Sequence, residues 1–231
     1  MSNSDQSIKS VSNTAFIFPG QGSQKVGMGR DLLDFPVSAN VFKRVDDALG
    51  RKLSDIIFNG PDDELMLTRN AQPAIMTVSI ACYEALKEKS GDLFPVPQYV
   101  AGHSLGEYTS LYVSGALDLE ETAKLVSLRG ELMQDACDQN PGTMAALIGL
   151  DEKAVYEISR QTGTYVSNIN TDLQTVISGD KAAIISAIDL ATSRGAKRAI
   201  PLKVAGAFHS DLMRPAADKL ENYINDLKFS N

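Results

Sequence analysis

The chain has 231 residues, of which 43% are hydrophobic and 22% charged, with a net charge of −7. This is the composition of a soluble globular protein, long enough for one large domain, or a domain with a smaller insertion, around a sizeable core. The acidic balance argues against a general nucleic-acid binder, and no apolar run approaches the roughly 20 residues of a membrane helix.

Met1 to Asn13 is rich in Ser and Asn and lacks an apolar stretch, so it reads as a flexible tail rather than a secretory signal. Thr14–Phe18 is a short apolar strand that runs into Pro19-Gly20-Gln21-Gly22-Ser23-Gln24, a loop rich enough in glycine to bring backbone amides close to another group. Helical patterns follow at Ser38–Leu49 and Gln72–Lys89. A second strand, Gln98–Ala101, leads through Gly102-His103-Ser104-Leu105-Gly106 into another helix, and Leu119–Asp138 is helical again. Strands alternating with helices predict an α/β fold with a parallel sheet.

From Pro141-Gly142 the pattern changes. Thr143–Ile148 reads as a strand, Glu152–Gln161 as a helix, Tyr165–Ile169 and Thr175–Ser178 as two strands, Lys181–Arg194 as a helix and Ala196–Leu202 as a strand. The order βαββαβ predicts a ferredoxin-like subdomain over 141–203, inserted into a core made of 14–140 and 204–231. A small-residue segment, Val204-Ala205-Gly206-Ala207, and one amphipathic helix complete the chain. Cys82 and Cys137 sit within helical patterns, which points to free thiols in a reducing compartment.

Gly102–Gly106 fits G-x-S-x-G, a turn that presents a nucleophilic serine between strand and helix, with the helix amides near the developing oxyanion. The competing reading is a tight turn with a capping serine. Ser104 would need a base. Of the two histidines, His103 is the neighbour of Ser104 and points elsewhere, which leaves His209, whose competing role is to cap the helix that follows. Arg129 has Leu125, Val126, Leu132 and Met133 as its i±3 and i±4 neighbours, the apolar face of its helix. A buried guanidinium needs a carboxylate or phosphate, either an internal acid or an acyl group carrying its own carboxylate. Lys197, Arg198, Lys203, Arg214 and Lys219 are either solvated surface or a landing area for an acidic partner.

Phe18–Gln24, Gly102–Tyr108 (GHSLGEY), Arg129 within SLRGELM, and Ala207-Phe208-His209-Ser210 occur in the order of the malonyl-CoA:acyl carrier protein transacylases, and the chain resembles that family from about Thr14 onward. The resemblance implies an α/β-hydrolase-like core carrying the ferredoxin-like subdomain. It implies Ser104 as the acylated nucleophile, His209 as general base and acid, Arg129 as the holder of the malonyl carboxylate, and Gln21 and Leu105 as backbone donors to the oxyanion. The substrates would be malonyl-CoA and acyl carrier protein, in fatty acid or polyketide synthesis, with no metal or other cofactor and a preference for malonyl over acetyl groups. A cytoplasmic monomer that binds neither nucleic acid nor membrane is expected.

Members of that family usually continue beyond the helix ending here near Phe229, with a segment that extends the sheet and orients the histidine. The alternative expectation is therefore a truncated, weak or inactive chain that acts only in binding. A serine thioesterase or esterase is a more distant alternative, because Arg129 has no obvious role in one and the acids between Ser104 and His209 fall within the subdomain.

Overall fold

A computed structural model describes residues 13–230. The expected flexible tail lies outside the described residues, apart from Asn13. In chain order the elements are β1 (Ala15–Phe18), α1 (Pro36–Leu49), α2 (Leu53–Asn59), α3 (Asp62–Met66), α4 (Thr68–Ser90), β2 (Tyr99–Gly102), α5 (Gly106–Val113), α6 (Leu119–Gln139), β3 (Gly142–Ile148), α7 (Glu152–Thr162), β4 (Tyr165–Thr171), β5 (Gln174–Asp180), α8 (Lys181–Ser193), β6 (Arg198–Pro201) and α9 (Arg214–Asn225). Three short 3-10 turns stand at Arg30–Asp34, Gly91–Leu93 and Asp211–Met213. Periodicity does not reveal α2 or α3, because helices of 7 and 5 residues are too short to display a repeat.

The chain divides into two compact units. The first takes the chain as far as Met66, then Asn70–Ser127 and the residues from Leu227; the second combines Leu67–Arg69 with Leu128–Asp226. The stretch 141–203 lies wholly within the second.

In the first unit, β1 and β2 form a parallel pair in the register Ala15↔Tyr99 to Phe18↔Gly102. Helix α1 begins with proline in its first turn, where a missing N–H leaves no bond unmade, and stops at Gly50, whose φ of 63° suits glycine. Val41, Phe42 and Val45 recur along α1 at helical spacing and pack with Leu53 and Ile57 of α2, Leu65 of α3 and Ile75, Met76 and Ile80 of α4. Leu105, at the entrance to α5, is buried in the same cluster.

In the second unit, one antiparallel sheet has the strand order β4-β5-β3-β6. Successive strand side chains point to opposite faces, and here both faces are covered. Ala145, Leu147 and Ile177 pack with Val155 and Ile158 of α7 and Ile184 and Ala187 of α8. Met144, Ala146 and Val176 pack with Met133, Ala136 and Cys137 of α6 and with Phe208, Met213 and Ala216. Each helix on the first face has an aspartate cap: Asp151 accepts from the Ala154 amide and Asp180 from the Ala182 amide, both at 2.8 Å. Strand β4 is an edge and carries a β-bulge: Val166 pairs with Ile177 and Asn168 with Val176, leaving Ser167 as the extra residue.

Among the described residues no helix is long and apolar enough to cross a membrane, and no group of three or more His, Cys, Asp or Glu could hold a metal ion.

Candidate active site

The G-x-S-x-G turn is built by backbone lying on backbone. A Cβ placed on Gly102 would collide with the carbonyl of Gly106 and the amide of Glu107, and one on Gly106 with the carbonyl of Phe18. Only glycine fits at either position. The turn closes with the His103 amide donating to Phe18 at 3.0 Å and the Gly106 amide donating to His103 at 2.9 Å. Between them Ser104 takes φ 52°, a left-handed conformation that costs a residue with a Cβ about 1–2 kcal/mol. The residue at the N-cap of α5 is Leu105, which makes no side-chain capping bond.

The glycine-rich loop lies against this turn. A Cβ on Gly20 would stand 2.6 Å from His103 Nδ1 and 2.7 Å from its carbonyl oxygen, so the loop backbone passes flat against His103. This brings the segment carrying Gln21 beside the turn that carries Ser104 and Leu105. Leu105 sits at the N-terminal end of α5, where amides have no partner within the helix and the dipole favours negative charge.

The second unit carries the other two sequence-predicted residues. Arg129 is 8% exposed, in keeping with its place on the apolar face of α6. It lines a cavity of about 690 Å³ together with His209. The cavity wall is largely apolar, with Met133, Val166 and Leu220 among its residues. His209 is exposed to solvent and takes φ 59°. Its neighbours are fixed on both sides. Phe208 is buried in the second-unit core, and its carbonyl accepts from Ser167 Oγ at 3.2 Å. Ser210 Oγ donates to the Ala207 carbonyl at 2.6 Å and accepts from the Leu212 amide, which caps the turn Asp211–Met213. Ser210, not His209, is therefore the cap. Beyond it, the charge of Asp211, followed by burial and a hydrogen bond from the phenol, pushes the Tyr165 hydroxyl up.

Among the described residues, Ser104 and His209 are the two non-glycine residues with positive φ. They are the two residues that the sequence offers as nucleophile and base. Residues 15–230 match the family model described as acyl transferase domain. The chain belongs to the acyl transferase domain family. Its similarity to this family extends to solved structures: the acyl-carrier-protein-S-malonyltransferase from Bartonella henselae is 46% identical, with a TM-score of 0.89 over 95% of this chain and 71% of that one. A malonyl-transacylase in complex with its type II PKS acyl-carrier protein is 41% identical, with a TM-score of 0.89 over 95% of this chain and 72% of that one. The malonyl CoA-acyl carrier protein transacylase of Bacillus subtilis (strain 168) is 44% identical over 221 residues, covering 93% of this chain and 68% of that protein.

In this acyltransferase chain, sequence reasoning passes over the serines that hold the histidine loop. Ser210 precedes Asp211-Leu212-Met213 and is legible as a cap. Ser167 is not legible, because nothing in the alternation of β4 marks where a bulge will fall. Gly20 is legible only as part of a loop whose backbone approaches some other group, since its contact with His103 comes from a segment more than eighty positions away.

Proposed function

We propose that this chain transfers a malonyl group from malonyl-CoA to the pantetheine thiol of acyl carrier protein, in fatty acid or polyketide synthesis, through a malonyl ester on Ser104. The observation that carries this reading is the coincidence of the two positive-φ residues with the two residues chosen for nucleophile and base. Backbone strain at a residue with a Cβ persists only where the surroundings enforce it, and such positions gather at functional sites.

The reaction runs in two halves. Ser104 Oγ attacks the malonyl thioester carbonyl while His209 takes the hydroxyl proton. The amides of Gln21 and Leu105 receive the oxyanion, and each such donor supplies a few kcal/mol. The intermediate expels coenzyme A, whose sulfur takes the proton back from His209. In the second half His209 accepts the proton of the pantetheine thiol. The sulfur attacks the malonyl ester, and Ser104 leaves with its proton restored. Arg129 holds the free malonyl carboxylate through a charge-assisted contact that an acetyl group cannot make. No metal or bound cofactor enters either half. We place these roles on an α/β-hydrolase-like core of 14–140 and 204–231 with a ferredoxin-like subdomain over 141–203, acting as a cytoplasmic monomer.

The test is intact-protein mass after brief incubation with malonyl-CoA, beside Ser104→Ala. A malonyl-sized gain on the wild type alone, discharged by added acyl carrier protein, is the expected result. No gain on a cooperatively folded wild type would overturn the acyl-enzyme reading for this chain. Release of free malonate in place of transfer would make it a hydrolase.

A further inference from the structure

The histidine loop is contacted by a serine hydroxyl that sits at the β4 bulge. Ser167 is the extra residue between Val166, paired with Ile177, and Asn168, paired with Val176. A bulge re-aims the side chain of the inserted residue relative to the regular alternation. Ser167 Oγ lies 2.6 Å from Ser178 Oγ and 3.2 Å from the carbonyl oxygen of Phe208. A hydroxyl has one proton, and the Phe208 carbonyl can only accept. Ser167 is the donor in both contacts, so its one proton is shared between the Ser178 hydroxyl and the Phe208 carbonyl. Ser178 is fully buried, so the acceptor that Ser167 meets there is shielded from solvent. Phe208 immediately precedes His209, and the peptide whose carbonyl is held is the one that enters the left-handed residue.

We propose that Ser167 is a positioning residue for His209. By holding the Phe208–His209 peptide, it keeps His209 in the strained conformation that aims the imidazole. The buried Phe208 ring anchors the same residue by its side chain. A ring anchor still allows the peptide plane to rotate, and it is the peptide plane that sets φ of the following residue. The hydroxyl on the carbonyl removes that freedom. This inference rests on His209 being the base, and its test separates the two claims.

The experiment is a double-mutant cycle on the rate of Ser104 malonylation, read by rapid-quench intact mass. His209→Ala should lower the rate about 10³-fold. Ser167→Ala should lower it about ten- to a hundredfold through loss of orientation alone, with the malonyl-CoA concentration at half-maximal rate unchanged. Ser167→Thr keeps the hydroxyl and should recover most of the rate. In the His209→Ala background, Ser167→Ala should cost nothing further, because residues that act as a unit are not additive. A full Ser167→Ala penalty in that background would overturn the positioning role, as would a rise in the half-maximal malonyl-CoA concentration at constant limiting rate. An unchanged rate for Ser167→Ala in the wild-type background would do the same. If His209→Ala itself left the rate intact, the base assignment would fail instead. Thermal unfolding of each variant guards against a fold defect, and Ser178→Ala, which removes the acceptor competing for the Ser167 proton, should leave the rate unchanged or raise it; a loss as large as that of Ser167→Ala would overturn the role.

Discussion

The turn carrying Ser104 and the loop carrying His209 impose the same unusual backbone sign by different means. At the serine, main chain is wedged against main chain: Gly102 against Gly106, Gly106 against Phe18, Gly20 against His103. At the histidine, side chains do the holding: the buried Phe208 ring, the Ser210 hydroxyl on Ala207, and Ser167 on the Phe208 carbonyl. Even the tight glycine of that loop meets a side chain, since a Cβ on Gly206 would run into Cys137 Sγ. A backbone wedge has no adjustable part, so it fixes geometry and tolerates no change at the glycines. A side-chain clamp can be tuned one group at a time. This suits the proton-transfer role proposed for His209.

The sharpest way to break the contrast is to substitute the glycines. Gly102→Ala should destabilise by about 3 kcal/mol or more, or prevent folding, and no second-site substitution should rescue it, because its collision partners are main-chain atoms. Gly206→Ala should destabilise by about 1–3 kcal/mol from overpacking. Cys137→Ala added to it should recover much of that loss, since it removes the sulfur in the way. Denaturant unfolding of the four proteins reads both effects. A rescue at Gly102 or a failed rescue at Gly206 would erase the distinction.

A smaller effect tests the strain itself. At both Ser104 and His209, the glycine variant should be about 1 kcal/mol more stable than the alanine variant, because only alanine has a Cβ to strain at positive φ. Equal stabilities would mean that the backbone relaxes once the native side chain is gone. The gap should survive Ser167→Ala at position 104 and shrink at position 209 if the clamp enforces the loop.

The smallest expected effect is in alkaline stability. Burial, and then the charge of Asp138, pushes the Cys137 thiol up to about 11 from an ordinary 9.0. The unfolded chain therefore ionises first, so stability from the neutral buried thiol is full below pH 9 and falls as pH rises from there toward 11. Wild type should lose stability over that window more steeply than Cys137→Ala. Neutral-pH alkylation should mark the exposed Cys82 well before Cys137.

Much of the architecture was legible in the sequence. The strands flanking the serine turn, the long helix bearing Arg129 and the alternation of strands and helices after Pro141 all follow from apolar periodicity and turn residues, and each lies within a few residues of the observed element. The burial of Arg129 followed from its neighbours at helical spacing. The short helices α2 and α3 did not follow, for want of length, and neither did the bulge at Ser167. A bulge adds a residue to one strand relative to its partner, so it exists only in the pairing.

The sequence by itself determined the candidates for the chemistry: a serine between two glycines, one histidine away from it, and an arginine on an apolar stripe. It could do so because residue type and local spacing carry that information along a single segment. Tertiary structure decided how two of those residues are held. The glycines are indispensable because of atoms that arrive from Phe18 and Gly106. The carbonyl that precedes His209, that of Phe208, is reached by Ser167 from forty-one positions earlier. Such constraints belong to pairs of distant segments, and no property of either segment alone encodes the distance between them.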